Sequence, residues 1–400
     1  MPLDLNKVFP QVGGMIARLK AEGAARQERL QCALDTLHSQ SRNQSELARK
    51  IKAAKTTWLV AGLVDGLDQC YEPPPTPKEF TILATDGSHI AVDRHRSTRC
   101  YLINIGEVVL SYGQNPDATL GSHPSLYSGE EELAIAPDGA KGREQPIEGN
   151  LLGIKRGVDE CHQLVALAKE RPAGSLSLAL VDGSLILWGL EAYPDFVTEA
   201  LLKRGFLSYL TEIEKLNEPT RKVALASYIS LPRSTEVVNA LRVALCPHDP
   251  PDCDRYCSVN ETRDCDAVAG TRDRELFINL LRPGERSALF SSGSSIVQKH
   301  YGGHQVYFFY LRLDDEISRI ELPRWVALDE NLLSLTHSLV LDQCQRGQGY
   351  PVALSEAHEQ AVVTAADREN FWQLVEAALV SEHLPSLISA KSQSKRTRWV

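Results

Sequence analysis

Two short stretches constrain this chain more than any others. In Ile82-Leu83-Ala84-Thr85-Asp86-Gly87-Ser88 an apolar run ends on a carboxylate, followed at once by Gly and Ser. The same device recurs in Ala179-Leu180-Val181-Asp182-Gly183-Ser184. A carboxylate at the end of a buried strand is costly to desolvate unless it is paired or holds a metal ion. Two of them, each before a turn glycine, predict one metal site built from two strands. The plain alternative is a pair of ordinary Asp-Gly turns.

The surrounding pattern predicts a mixed α/β sheet. Residues 6–56 carry apolar side chains at helical spacing, broken near 39–43. The run Pro73-Pro74-Pro75-Thr76-Pro77 reads as a stiff linker. A β-rich stretch follows, with residues 100–105 and 108–112 expected as a hairpin turning at Gly106-Glu107. Residues 113–148 read as an exposed polar excursion with a short helix near 129–135. Beyond them, helix 151–171 feeds the second acidic strand, 176–182. A helix at 193–216, a strand at 223–229 and a helix at 235–245 come next. Strands are expected at 287–291, 305–311 and 317–321, and helices from Pro323 to residue 384. The expected organisation is a helical N-terminal region at 1–72, a main domain at 78–385 with a Cys-rich insertion at 246–271, and a basic flexible tail at 386–400.

Composition narrows the function. The formal net charge of −9 argues against a surface coated for nucleic-acid binding, though not against a local basic groove. The apolar runs stay short of the roughly 18 residues of a membrane span, the N-terminus lacks a signal-peptide pattern, and the nine cysteines are sparse, so no membrane association and a cytoplasmic setting are expected.

Carboxylate ligands suit Mg²⁺ or Mn²⁺. Ser88 and Ser184 are caps, turn residues or phosphate contacts. A third carboxylate would complete a two-metal phosphodiester site, and Glu160 on helix 151–171 offers one, beside Asp159. Its alternative is a solvated charged helix face. Late in the chain, Tyr350 and His358 flank a helix restart after Pro351. Such a histidine can bind metal or protonate a leaving oxygen.

These segments come in an order that resembles the NurA family of prokaryotic DNA-end-processing nucleases. Further carriers are Tyr228-Ile229-Ser230-Leu231-Pro232-Arg233-Ser234, Phe308-Phe309-Tyr310, Arg319-Ile320-Glu321-Leu322-Pro323 and Tyr350-Pro351 with Ala357-His358. The resemblance implies a ribonuclease H-like mixed sheet with added N-terminal and C-terminal helices. It implies an Mn²⁺-dependent (or Mg²⁺-dependent) nuclease, acting as an exonuclease on DNA ends and an endonuclease on single strands, in end resection and repair. It also implies a homodimer docked on a HerA-type hexameric ATPase. By position, Asp86, Glu160, Asp182 and His358 would be metal ligands, and these with Tyr350 the catalytic set. Arg233, Lys203 and Arg242 are candidates for DNA phosphate. Two other readings stay open: a non-catalytic dimeric DNA-binding adaptor of that ATPase, and a nucleotide-binding enzyme of actin or sugar-kinase type.

One insertion departs from the family pattern. Cys246, Cys253, Cys257 and Cys265 fall within a proline-rich, apolar-poor loop. Zn²⁺, an iron–sulfur cluster or free thiols are the three readings. The tail, with Lys391, Lys395, Arg396, Arg398 and Trp399, reads as a DNA contact or a solubilising end.

Overall fold

A computed structural model describes residues 3–96, 98–137, 139, 143–257 and 263–385. The fold is mixed α/β, with a large mixed sheet and helices. It divides into two compact units: Met1–Pro73 with Ile229–Val297 and Tyr307–Ile320, and Pro74–Tyr228 with Gln298–Val306 and Glu321–Val400. The basic tail lies outside the described residues.

In the first unit, the N-terminal helices do not stand as a region of their own. Helix Leu5–Gln40 buries only Ala33, Thr36 and Leu37, and helix Gln44–Ala53 only Leu47. A single amphipathic face cannot make a core alone. These side chains join Val237, Val238 and Leu241 of helix Glu236–Leu245, together with Phe277, Phe290, Phe308 and Tyr310. Asp273 is buried at the start of helix Glu236–Leu245. It accepts from the backbone N–H groups of Val237 and Val238 at 3.1 and 2.8 Å and from the Tyr310 hydroxyl at 2.7 Å. Burial raises its pKa despite these donors.

The second unit holds the sheet that positions the site. Strands Phe80–Ile90, Tyr101–Tyr112 and Asp117–Tyr127 form an antiparallel meander. Leu176–Asp182 pairs parallel to the first strand, and Lys222–Ile229 parallel to Leu176–Asp182. In sequence order the spatial arrangement is 5-4-1-2-3, the strand order of a ribonuclease H fold. A parallel pair needs a crossover, and helix Asn150–Lys169 supplies it. Downstream stand helices Glu330–Arg346, Val352–Ala361 and Ala365–Ser381.

Several sequence expectations change. The first acidic strand does not end at Asp86; it runs on to Ile90, and its partner runs unbroken through Gly106-Glu107, so no hairpin turns there. The hairpin turn lies further on, before Asp117. The polar stretch after residue 113 contains an edge strand, Asp117–Tyr127, almost wholly exposed. Its polar side chains hid it, and Pro124 is tolerated because the strand is an edge. The expected helix over 193–216 is interrupted by a wide π-type stretch, Glu199–Phe206. The expected strand at 287–291 is two short pieces, Arg286–Ser287 and Phe290–Ser291. Among the described residues no helix is long and apolar enough to cross a membrane.

Candidate active site

Register brings the two aspartates together. Thr85 pairs with Val181 across the parallel strands, so Asp86 and Asp182 follow side by side at the next position. Asp182 closes its strand and is open to solvent, and Gly183 turns the chain away with φ +88°. The Gly183 N–H returns to the Tyr228 carbonyl at 3.0 Å. Beyond it, the buried Glu321 carboxylate accepts from the Ser184 hydroxyl at 2.7 Å and the Leu185 N–H at 2.9 Å. The buried Tyr301 hydroxyl donates to the Leu185 carbonyl and accepts from the Leu187 N–H, both at 2.9 Å. Glu321 and Tyr301 hold the turn rigid. Glu321 lies in a segment singled out from the sequence; the use of its carboxylate was not evident there.

Asp86 meets His358. The imidazole Nδ1 stands 2.7 Å from Oδ2, the aspartate nearly covered and the histidine side chain 64% exposed. Helix Val352–Ala361, which carries His358, sits directly on the sheet. A Cβ on Gly106, the partner of Asp86, would lie 2.2 Å from the Ala357 carbonyl oxygen and 2.6 Å from the Ala361 nitrogen. The helix end is fastened by side chains: Ser88 donates to the Ala361 carbonyl at 2.5 Å, and Asn104 to the same oxygen at 3.0 Å. Just before this helix, Tyr350 hydrogen-bonds Asp182. Burial, then the neighbouring Asp182 charge, holds the Tyr350 phenol protonated far above its ordinary range.

Glu160 comes from helix Asn150–Lys169. Thr85 donates to its backbone carbonyl at 3.1 Å, anchoring the helix to the strand. Its Oε1 would lie 2.5 Å from a Cβ on Gly87, so any other residue there would have to push this carboxylate aside. Gly87 therefore serves a close approach, not a turn. Arg156 Nε stands 3.0 Å from Oε1. The contact is electrostatic: its geometry is poor, and neither atom has an aligned hydrogen-bond partner. Burial, opposed by Arg156 and reinforced by the charges of Asp86 and Asp182, pushes Glu160 up to about 8. Although the residue reaches solvent, surrounding protein partly desolvates the Asp182 carboxyl, and this, with the Asp86 charge, raises its pKa, while its Tyr350 hydrogen bond acts in the opposite direction. Burial and the crowding of the three acids hold a proton on Glu160, and a divalent cation among them would favour its charged form.

The other candidates lie elsewhere. Lys203 pairs with Glu199 at 2.9 Å on the same helical face. Arg242 stacks on Trp58 at 3.8 Å and bonds Asp266 at 3.2 Å, so its guanidinium is committed. Arg233 is exposed in the first unit. The four cysteines of the insertion are free.

The strand order is that of a ribonuclease H-like sheet, and Asp86, Asp182 and Glu160 lie near one another on it. Residues 80–363 match the family model described as the NurA domain. The chain belongs to the NurA family. No curated protein sequence matches it. Among solved structures, it is similar to the Argonaute of Aquifex aeolicus at 11% identity, covering 70% of this chain and 28% of that one, with a TM-score of 0.27. Drosophila Piwi is similar at 9% identity, with the same coverages and a TM-score of 0.26. The prototype foamy virus protease–reverse transcriptase is similar at 16% identity, covering 38% and 18%, with a TM-score of 0.20. The chain spans less than a third of each of these proteins, and likenesses this slight carry no argument about activity.

Proposed function

We propose that this protein is a divalent-metal-dependent DNA nuclease, an exonuclease on DNA ends and an endonuclease on single strands. The observation that carries the reading is Glu160. A buried carboxylate stands beside two others, with one oxygen lacking an aligned donor and a glycine placed to admit it.

Among the described residues no group of three or more His, Cys, Asp and Glu side chains is placed to hold a metal ion. The donor set nonetheless suits Mn²⁺ or Mg²⁺, which take carboxylate oxygens and keep several waters. Asp86, Asp182 and Glu160 would hold the ion, with His358 at the margin. When bound, it would supply an activated water and charge stabilisation at the phosphodiester. The protein's own groups supply the rest. Asp86 fixes the His358 ring by hydrogen bonding to Nδ1. This leaves Nε2 for the open side, where it can give a proton to the departing oxygen. Tyr350 orients Asp182 and keeps its phenol proton. Arg156, 3.0 Å from Glu160, supplies a positive charge beside the acids.

Family membership supports the wider reading: a homodimer working in DNA end resection and repair with a HerA-type hexameric ATPase. The test is a Mn²⁺-dependent digestion of end-labelled single- and double-stranded DNA by the unmodified chain beside Asp86→Ala. Loss of at least two orders of magnitude in rate is expected, the scale of a removed transition-state contact. Digestion by Asp86→Ala at the parental rate would overturn the assignment.

A further inference from the structure

The insertion after helix Glu236–Leu245 has little apolar content of its own, yet it is pinned in place. The Lys55 N–H donates to the Pro251 carbonyl at 2.8 Å, and the Cys253 N–H returns to the Lys55 carbonyl at 3.0 Å. Asp252 caps the turn Cys253–Tyr256 by accepting from the Arg255 N–H at 3.0 Å. This arrangement gathers sulfur. Cys253 and Cys257 lie one helical turn apart, and their thiols are within hydrogen-bond reach of each other. Cys265 is near enough to both Cys253 and Cys246 for their charges to interact. Cys246 follows the last turn of the helix and Cys265 sits on the short helix Asp264–Val268.

We infer that Cys246, Cys253, Cys257 and Cys265 form a structural zinc site. Four thiolates around Zn²⁺ carry a net charge of about −2. Three donors face these cysteines, the Arg242 charge being shared with Asp266. The Arg242 guanidinium stands 3.8 Å from the Cys265 sulfur, the Thr57 N–H reaches the Cys253 sulfur, and the Lys50 ammonium bonds the Cys246 carbonyl. A single ion with Zn–S bonds of about 2.3 Å holds its sulfurs roughly 3.8 Å apart. The close Cys253–Cys257 pair fits that spacing. An iron–sulfur cubane binds each sulfur to a different iron and keeps them further apart. Among the described residues no group of three or more His, Cys, Asp and Glu side chains is placed to hold a metal ion, so the proposal requires the four sulfurs to draw together on loading. Four thiol protons leave to solvent as the ion enters. The proposal stands apart from the nuclease reading, because it involves none of the site carboxylates.

The test begins with elemental analysis of the purified full-length chain, before and after the thiols are blocked with an organomercurial. About 1 zinc per chain is expected, released as the thiols react; zinc held by carboxylates would not follow thiol blocking. Cys253→Ser and Cys257→Ser should each lower bound zinc by about tenfold or more, the scale of a lost ligand contact. Because either variant can misfold, Co²⁺ titration of the unmodified, chelator-treated chain provides the second reading. Intense sulfur-to-cobalt charge-transfer absorption at one equivalent supports the site. A chain that gives neither thiol-releasable zinc nor this absorption overturns the proposal, and so does one that carries iron and acid-labile sulfide.

Discussion

The two Asp-Gly-Ser segments share three residues and almost nothing else. Around Asp86 the strand continues, and Gly87 is extended backbone whose missing side chain admits Glu160. Around Asp182 the strand stops, and Gly183 takes a left-handed turn with open space where a Cβ would go. Ser88 fastens a helix end, whereas Ser184 braces a turn against the buried Glu321. One glycine is needed for volume, the other for backbone conformation. Identical local sequence thus delivers two aspartates to one place by different means.

The sharpest way to break that contrast is to add a methyl group to each glycine. Gly87→Ala should displace Glu160, whose helix cannot retreat freely because Thr85 holds its carbonyl. DNA cleavage should fall by about two orders of magnitude or more. Gly183→Ala should cost about 1 kcal/mol for the strained φ and leave the cleavage rate within a few-fold. Equal losses in a parallel digestion assay would show that both glycines act as turns.

The next effect is electrostatic. Folded Glu160 keeps its proton up to about pH 8, whereas the unfolded chain releases it near 4.5. Between those values the folded state holds the extra proton, so stability falls as pH rises through the window. Each tenfold difference in proton affinity between the two states corresponds to about 1.4 kcal/mol, so Glu160→Gln should stabilise the protein by several kcal/mol at pH 8 in the presence of chelator. Near pH 4.5 the gain should vanish. Urea melts of both proteins at the two pH values measure this, and a gap independent of pH would remove Glu160 from the acidic cluster.

Smaller effects separate the serines. Ser184→Ala takes a donor from a buried carboxylate and should cost about 1–3 kcal/mol. Ser88→Ala loses one neutral hydrogen bond, and Asn104 still donates to the same Ala361 oxygen, so about 0.5–1 kcal/mol is expected. Thermal melts of the pair would expose a reversed order. Lys203→Ala, which breaks an exposed pair on one helix, should change stability by less than about 0.5 kcal/mol and leave cleavage unaltered.

Much of the central unit could be read from residue order. The two acidic strands, the helix between them and the late helix that carries His358 each announce themselves through apolar runs and local breaks. Asp86, Asp182, Glu160, Tyr350 and His358 were singled out that way and are neighbours in space. What escaped were features set by distant partners. Gly106 looked like a turn because glycine so often is one; its real constraint is the backbone of Ala357 and Ala361. Glu321 stood in a segment that carries the family resemblance, but its carboxylate had no partner in view until the fold placed it against Ser184. The edge strand Asp117–Tyr127 was missed because neither face is buried, so no alternation marks it. The N-terminal helices were set apart because most partners of their few buried residues lie beyond residue 229.

The Asp86–His358 contact closes a span of 272 residues. A polypeptide still emerging from the ribosome therefore has its first aspartate long before the imidazole that faces it. The pairing is thus absent from every nascent chain that stops short of residue 358.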